Sequence, residues 1–186
     1  MQLQFNNHYN LKGLHADFSP SQPHWLNYDA EKAKLVYLTR KAAEHGTKLH
    51  EWAQKTIELG IRQARTNKTL NMYINDAISY RMKPEVVLFY SAKIFGTADT
   101  ISFNGKILRI HDLKTGKNKA DIRQLKVYAA LFCLEYRVNP EDIKIELRIY
   151  QNDQVYEDFP EAKEIRDYMD HIVYMDETLT EVDKEV

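Results

Sequence analysis

Apolar positions change their spacing several times along this chain of 186 residues. From Asp29 they recur every three to four residues, through Ala33, Val36, Tyr37 and Ala43, with Arg40 on the same register. That spacing predicts an amphipathic helix with Asp29 as its N-cap. Gly46-Thr47 predicts an interruption or kink in it. A second helical pattern covers 48–65, with Leu49, Trp52, Ala53, Thr56, Ile57 and Gly60 on one side, and a short third covers 69–80. Pro84 then marks a change of period. Val86 to Tyr90 are β-branched, aliphatic or aromatic, which is strand composition. Three strands are predicted over 85–94, 97–103 and 106–113, the last two joined by Asn104-Gly105, a strong hairpin signal. Residues 120–137 return to helical spacing through Ile122, Leu125, Tyr128, Ala129, Phe132 and Leu134. Strands are predicted at 143–151 and 154–158, and Pro160 suits the start of a last helix over 160–178. The acidic tail, 179–186, is expected to fray.

This order predicts a mixed α/β protein, a central β-sheet flanked by helices. Residues 1–28, with Pro20 and Pro23 close together, read as irregular, residues 29–80 as helical, and 84–158 as sheet with an inserted helix. The length suggests one domain, and no repeat or linker divides the chain. An apolar fraction of 44% and a charged fraction of 28% are globular, not disordered, composition. One cysteine, Cys133, excludes a disulfide framework, a four-cysteine iron–sulfur cluster and a Cys-rich zinc site. There is no long apolar run for a membrane span and no basic region leading into an apolar stretch at the N-terminus. A cytoplasmic protein without a membrane partner is expected.

The net charge is −1, which argues against a histone-like electrostatic binder. Its distribution is uneven. Residues 1–80 carry a net +3, residues 81–126 a net +6 and residues 127–186 a net −10. A polyanion is therefore expected to meet the central segment.

That segment also carries the chemistry. In a strand, Asp112 and Lys114 share one face and Leu113 the other. Folding back at Asn104-Gly105 places Asp99 near Asp112. Two carboxylates and an ammonium thus converge at one end of a hairpin. Close carboxylates repel unless a cation lies between them, and oxygen donors of this kind suit Mg²⁺ or Mn²⁺. A lysine beside such an ion can position a water and offset charge on a phosphate. The competing explanation is an Asp–Lys–Asp ion cluster with no chemistry.

Gly96-Thr97-Ala98-Asp99 followed by Asp112-Leu113-Lys114-Thr115-Gly116 resembles the signature of PD-(D/E)XK nucleases, specifically the RecB-like branch. Gly46-Thr47-Lys48-Leu49-His50 resembles the Gly-x-x-x-His motif of that branch. Gln124-Leu125-Lys126-Val127-Tyr128 resembles its Gln-x-x-x-Tyr motif. The four motifs stand in the family's order over residues 46–128. The segment from Ser19-Pro20-Ser21 to Tyr28 is also similar to the N-terminal part of phage-encoded members. The resemblance implies a restriction-endonuclease-like core and a metal-dependent DNA nuclease that leaves a 5′-phosphate. It implies Asp99, Asp112, the Leu113 carbonyl and His50 as metal ligands and Lys114 as the catalytic lysine. Gln124 and Tyr128 would orient the site or contact DNA, and Glu85 is a weaker candidate for an outer ligand. Related CRISPR-adaptation nucleases hold an iron–sulfur cluster through four cysteines, which Cys133 alone cannot do. There is no Walker motif, so a stand-alone exonuclease is expected. Its implied partners are DNA and a recombination or single-strand-annealing protein, and it is expected to form a homo-oligomer if it is processive.

Several neighbouring residues have two readings. Lys117, Lys119, Arg123 and Lys126 are candidates for phosphate contacts or for a solvated helix face. Trp25, Tyr28 and Trp52 suit stacking on unpaired bases or the rim of a core. His111 alternates away from Asp112 and reads as non-catalytic. Gln54 replaces the second histidine of a zinc-protease helix, and Gly116-Lys117 lacks the rest of a P-loop. A non-catalytic DNA-end-binding or interaction protein that retains the nuclease fold and a sequence-specific endonuclease are the alternatives. Intact Asp99, Asp112 and Lys114 argue against the first, and the short chain against the second.

Overall fold

The computed structural model describes residues 6–185. Contacts group the chain into two compact units, one ending at His45 and the other starting at Gly46. The first unit has two short 3₁₀ turns, Tyr9–Leu11 and Pro23–Asn27, in the segment expected to be irregular. There the Trp25 indole N–H donates to the Ser19 carbonyl at 2.9 Å, and the Arg40 guanidinium donates to the Asp17 carbonyl.

Helix α1 runs from Ala30 to Glu58. Asp29 caps it as expected, its Oδ1 accepting the Lys32 N–H at 2.7 Å. Gly46-Thr47 does not interrupt it. A mid-helix glycine costs only about 1 kcal/mol, which the surrounding turns outweigh. The expected helix over 48–65 ends at Glu58 because Gly60 is not part of an apolar face. It adopts φ +66° and closes a Schellman motif, with Gly60 N–H bonding Ile57 O and Ile61 N–H bonding Thr56 O, both at 3.0 Å.

The second unit continues with α2 (Thr69–Ser79), β1 (Lys83–Phe89), β2 (Phe95–Phe103), β3 (Ile107–Leu113), α3 (Arg123–Tyr136), β4 (Lys144–Gln151), β5 (Gln154–Asp158) and α4 (Ala162–Glu185). The five strands form one mixed sheet in the order β1-β2-β3-β4-β5. Only β3 and β4 pair in parallel, with α3 as the crossover. β1 stops at Phe89, short of the expected 94, because Tyr90 and Ser91 N–H turn back to the Ile94 carbonyl. The β2–β3 turn sits at Asn104-Gly105 as expected. Asn104 Oδ1 accepts the Lys106 and Ile107 N–H groups, and Gly105 takes φ +86°. The tail past Thr178 stays helical to Glu185 instead of fraying. Lys93, in the β1–β2 turn, reaches Thr180 at 3.0 Å and Asp183 at 2.9 Å, and Ser91 donates to Asp176.

Two apolar clusters hold the sheet. One joins α3 and α4 to Leu88, Ala98, Ile101, Leu108, Ile110, Leu147 and Ile149. The other joins Ala53 and Ile57 of α1 and Tyr73, Ile74 and Ala77 of α2 to Leu113 and Tyr150. A half-buried ion cluster links α2 to the sheet. Arg148 meets Glu146 at 2.7 Å, Glu157 at 3.0 Å and Asp76 at 3.2 Å, and the Tyr150 hydroxyl donates to Asp76 at 2.6 Å. No helix among the described residues is long and apolar enough to cross a membrane.

Candidate metal and phosphate site

The hairpin register brings the two motif aspartates together. Thr100 pairs with His111 and Ile101 with Ile110, so Asp99 and Asp112 are the next residues along. The ladder opens there, and Asp99 turns into the gap. Its Oδ2 accepts the buried Leu113 N–H at 2.8 Å and lies 3.4 Å from His50 Nδ1. His50 comes from the part of α1 after Gly46, where the close packing needs a glycine. A Cβ at Gly46 would lie 2.7 Å from Thr115 Oγ1.

Lys114 extends from the same strand end. Its backbone N–H donates to Tyr150 O at 2.9 Å, and its ammonium lies 3.0 Å from Asp112 Oδ1 and Oδ2. The ammonium also donates to Gln124 Oε1 at 3.0 Å, and Gln124 Nε2 donates to the Tyr128 hydroxyl at 3.2 Å. Tyr128 lies against Gly96, where a Cβ would come within 2.9 Å of its ring. All four motifs therefore meet. The glycines admit the neighbouring chain, and Gln124 and Tyr128 fix the lysine.

Glu85 belongs to the group more firmly than its sequence position suggested. Ligand atoms of His50, Glu85 and Asp99 lie within 4.8 Å of one another. Glu85 stands inside β1 at φ +51°, in the left-handed region that a non-glycine residue rarely adopts. The ladder skips it, pairing Pro84 with Thr100 and Val86 with Ala98.

The electrostatics are those of carboxylates short of positive charge. Burial, then the Asp99 charge, pushes the Asp112 carboxyl up to about 6 against the pull of Lys114. Burial also raises Asp99, opposed by His50 and the Leu113 N–H. Asp112 Oδ2 is buried, with the Lys114 ammonium 3.0 Å away as its ion-pair partner. The buried Asp99 and Asp112 carboxylates, with Glu85 and the His50 imidazole, are a donor set that fits a hard divalent cation.

His111 lies apart from this group. It is fully buried beside the Tyr150 hydroxyl at 3.3 Å, and burial with Arg148 and Arg109 nearby lowers its pKa to about 3. The basic residues divide. Lys117 and Lys119 are exposed on the loop after Lys114. Arg123 is held by Asp121 at 2.5 Å. Lys126 is not a free phosphate contact, because Glu164 at 2.6 Å and Asp158 at 2.9 Å enclose an ammonium side chain only 12% exposed. Trp52 is partly exposed on α1, while Trp25 and Tyr28 belong to the first unit.

Gln151 is a supporting residue that sequence reasoning passed over. Its side chain is buried and grips the loop after Lys114 through three backbone groups. Nε2 donates to Gly116 O at 2.6 Å and Asn118 O at 2.7 Å, and Oε1 accepts the Ala120 N–H at 3.1 Å. The signal was available, since Ile145, Leu147 and Ile149 alternate inward and Gln151 is the next inward position. A buried amide must find partners. Gln151→Ala is expected to lower the unfolding free energy by about 2 kcal/mol, a few hydrogen bonds' worth, measured by urea unfolding. Unchanged stability would show that the loop does not depend on this grip.

No family model, curated protein or solved structure matches this chain.

Proposed function

We propose that the protein is a divalent-metal-dependent deoxyribonuclease of the PD-(D/E)XK type, acting from DNA ends. The carrying observation is the buried carboxylate pair with a lysine fixed over it. Asp112, itself buried, holds the Lys114 ammonium at 3.0 Å while burial and the Asp99 charge push its carboxyl up to about 6.

Asp99, Asp112, His50 and Glu85 would hold Mg²⁺ or Mn²⁺, with the Leu113 carbonyl the further ligand that the resemblance implies. When bound, such an ion lowers the pKa of a coordinated water and withdraws charge from a phosphodiester oxygen. Asp112 and Gln124 keep the Lys114 ammonium from swinging away, so it orients the attacking water and offsets charge growing on the phosphate. Tyr128 in turn holds Gln124. Lys117 and Lys119 supply sequence-independent phosphate contacts near the scissile bond.

End-labelled linear duplex, linear single strand and closed circular DNA, each with Mg²⁺, Mn²⁺ or EDTA, test this reading. Linear DNA should shorten only with metal, and the circle should survive. Intact DNA in every lane together with a gel shift would replace the nuclease with a DNA-binding protein. Metal-dependent loss of the circle would make it an endonuclease.

A further inference from the structure

Beyond Glu85, β1 and β2 pair as Val87 with Thr97 and Phe89 with Phe95. Residues 87 and 89, with 95 and 97, alternate onto one face, while Val86, Leu88, Gly96 and Ala98 pack toward α3. Glu85 and Asp99 occupy the next row of the same two strands, between the pairs Pro84–Thr100 and Val86–Ala98. The first face is bare. Val87 is 52% exposed, Phe89 47% and Phe95 60%, and the two rings lie 6.5 Å apart at 32°. Phe89 lies four positions along the strand from Glu85, roughly 13 Å. An aromatic shelf therefore leads directly to the carboxylate group.

We propose that Phe89 and Phe95 stack the bases of an unpaired DNA strand whose backbone continues to the carboxylate group, so that the substrate is single-stranded. This rests on the nuclease reading and adds the substrate class. Flat rings in line with a phosphate-cleaving group suit unpaired bases, since every base has a face to stack and needs no particular sequence. The bases of a duplex are already stacked on one another. A docking protein strand fits poorly here. The Phe89 N–H at this sheet edge is given to Glu135 at 2.8 Å, and the left-handed Glu85 breaks the edge two rows away. Lys117 and Lys119, exposed on the loop after Lys114, supply positive charge for the phosphates of such a strand.

Binding in EDTA isolates the shelf from catalysis. Anisotropy of a labelled oligothymidylate and of a blunt duplex is compared for the wild type, Phe89→Ala/Phe95→Ala and Phe89→Trp/Phe95→Trp. The alanine pair should weaken single-strand binding about tenfold or more, leave duplex binding within about threefold, and unfold at the wild-type temperature. The tryptophan pair should bind single strands at least as well as wild type. Unchanged single-strand affinity in the alanine pair overturns the proposal, as does an equal loss for both DNAs. A self-association lost in the alanine pair with single-strand binding intact would assign the shelf to a second copy and also overturn it. Shelf-dependent binding by a protein that never cleaves DNA would leave the shelf standing and remove the nuclease reading. Cleavage unaffected by the alanine pair would do the reverse.

Discussion

Asp112→Asn and Lys114→Ala are each expected to slow metal-dependent cleavage of linear DNA by on the order of a thousandfold without unfolding the protein. Asparagine keeps the shape of a side chain that is 2% exposed, but removes the charge that holds the Lys114 ammonium and that, on the proposed reading, would hold the cation. Lys114→Ala acts from the other side. It strips Asp112 of its one adjacent ammonium, raises the carboxyl pKa further and leaves the attacking water unpositioned. Single-turnover rates with Mg²⁺, beside circular dichroism and thermal unfolding, provide the measurement. A folded variant that cleaves within tenfold of wild type would remove that residue from the catalytic group.

Without metal, the protein should be more stable near pH 5 than near pH 7.5. Burial holds the Asp112 carboxyl at about 6 in the folded chain and raises Asp99 in the same direction from 3.8. In the unfolded chain both carboxyls return to ordinary values near 3.9. Between these values the folded state binds more protons than the unfolded one, so stability falls as pH rises through the window. The loss for Asp112 is on the order of 2 kcal/mol. Surface carboxylates held low by cations, such as Asp121 with Arg123 and Asp153 with Lys68, have the opposite slope, but only at more acidic pH. Urea unfolding in EDTA from pH 5 to pH 8 should show the decline, and Asp112→Asn should flatten it. Added Mg²⁺ should stabilise the wild type most above pH 6, where protons no longer compete. A wild-type profile as flat as that of the variant would show that Asp112 carries no burial penalty.

The site was legible where local rules set its geometry. Asn104-Gly105 dictates a tight hairpin, a hairpin dictates register, and register brings Asp99 to Asp112. Helical spacing likewise puts Gln124 and Tyr128 on one side of α3. Other features depended on tertiary contacts. Gly46 reads as a helix break, yet it is where Thr115 passes too close for a side chain. Gly60 was placed on an apolar face because the periodicity ran past it, while backbone geometry made it the helix stop. Lys126 reads as a free cation on a basic helix until α4 supplies Glu164 and the end of β5 supplies Asp158. Glu85 looks like an ordinary strand residue, because no sequence pattern announces a positive φ.

That backbone angle at Glu85 has a consequence for any laboratory evolution of this protein. A left-handed non-glycine residue costs about 1 kcal/mol, and the charged, buried Asp112 lies on the next strand but one. Both features work against folding, and both belong to the site. A screen that rewards heat resistance alone would enrich Glu85→Gly and Asp112→Asn early. If the proposed nuclease reading holds, its winners would be sturdier proteins without cleavage activity, so retention of these two residues in heat-selected clones would mark that activity was under selection as well.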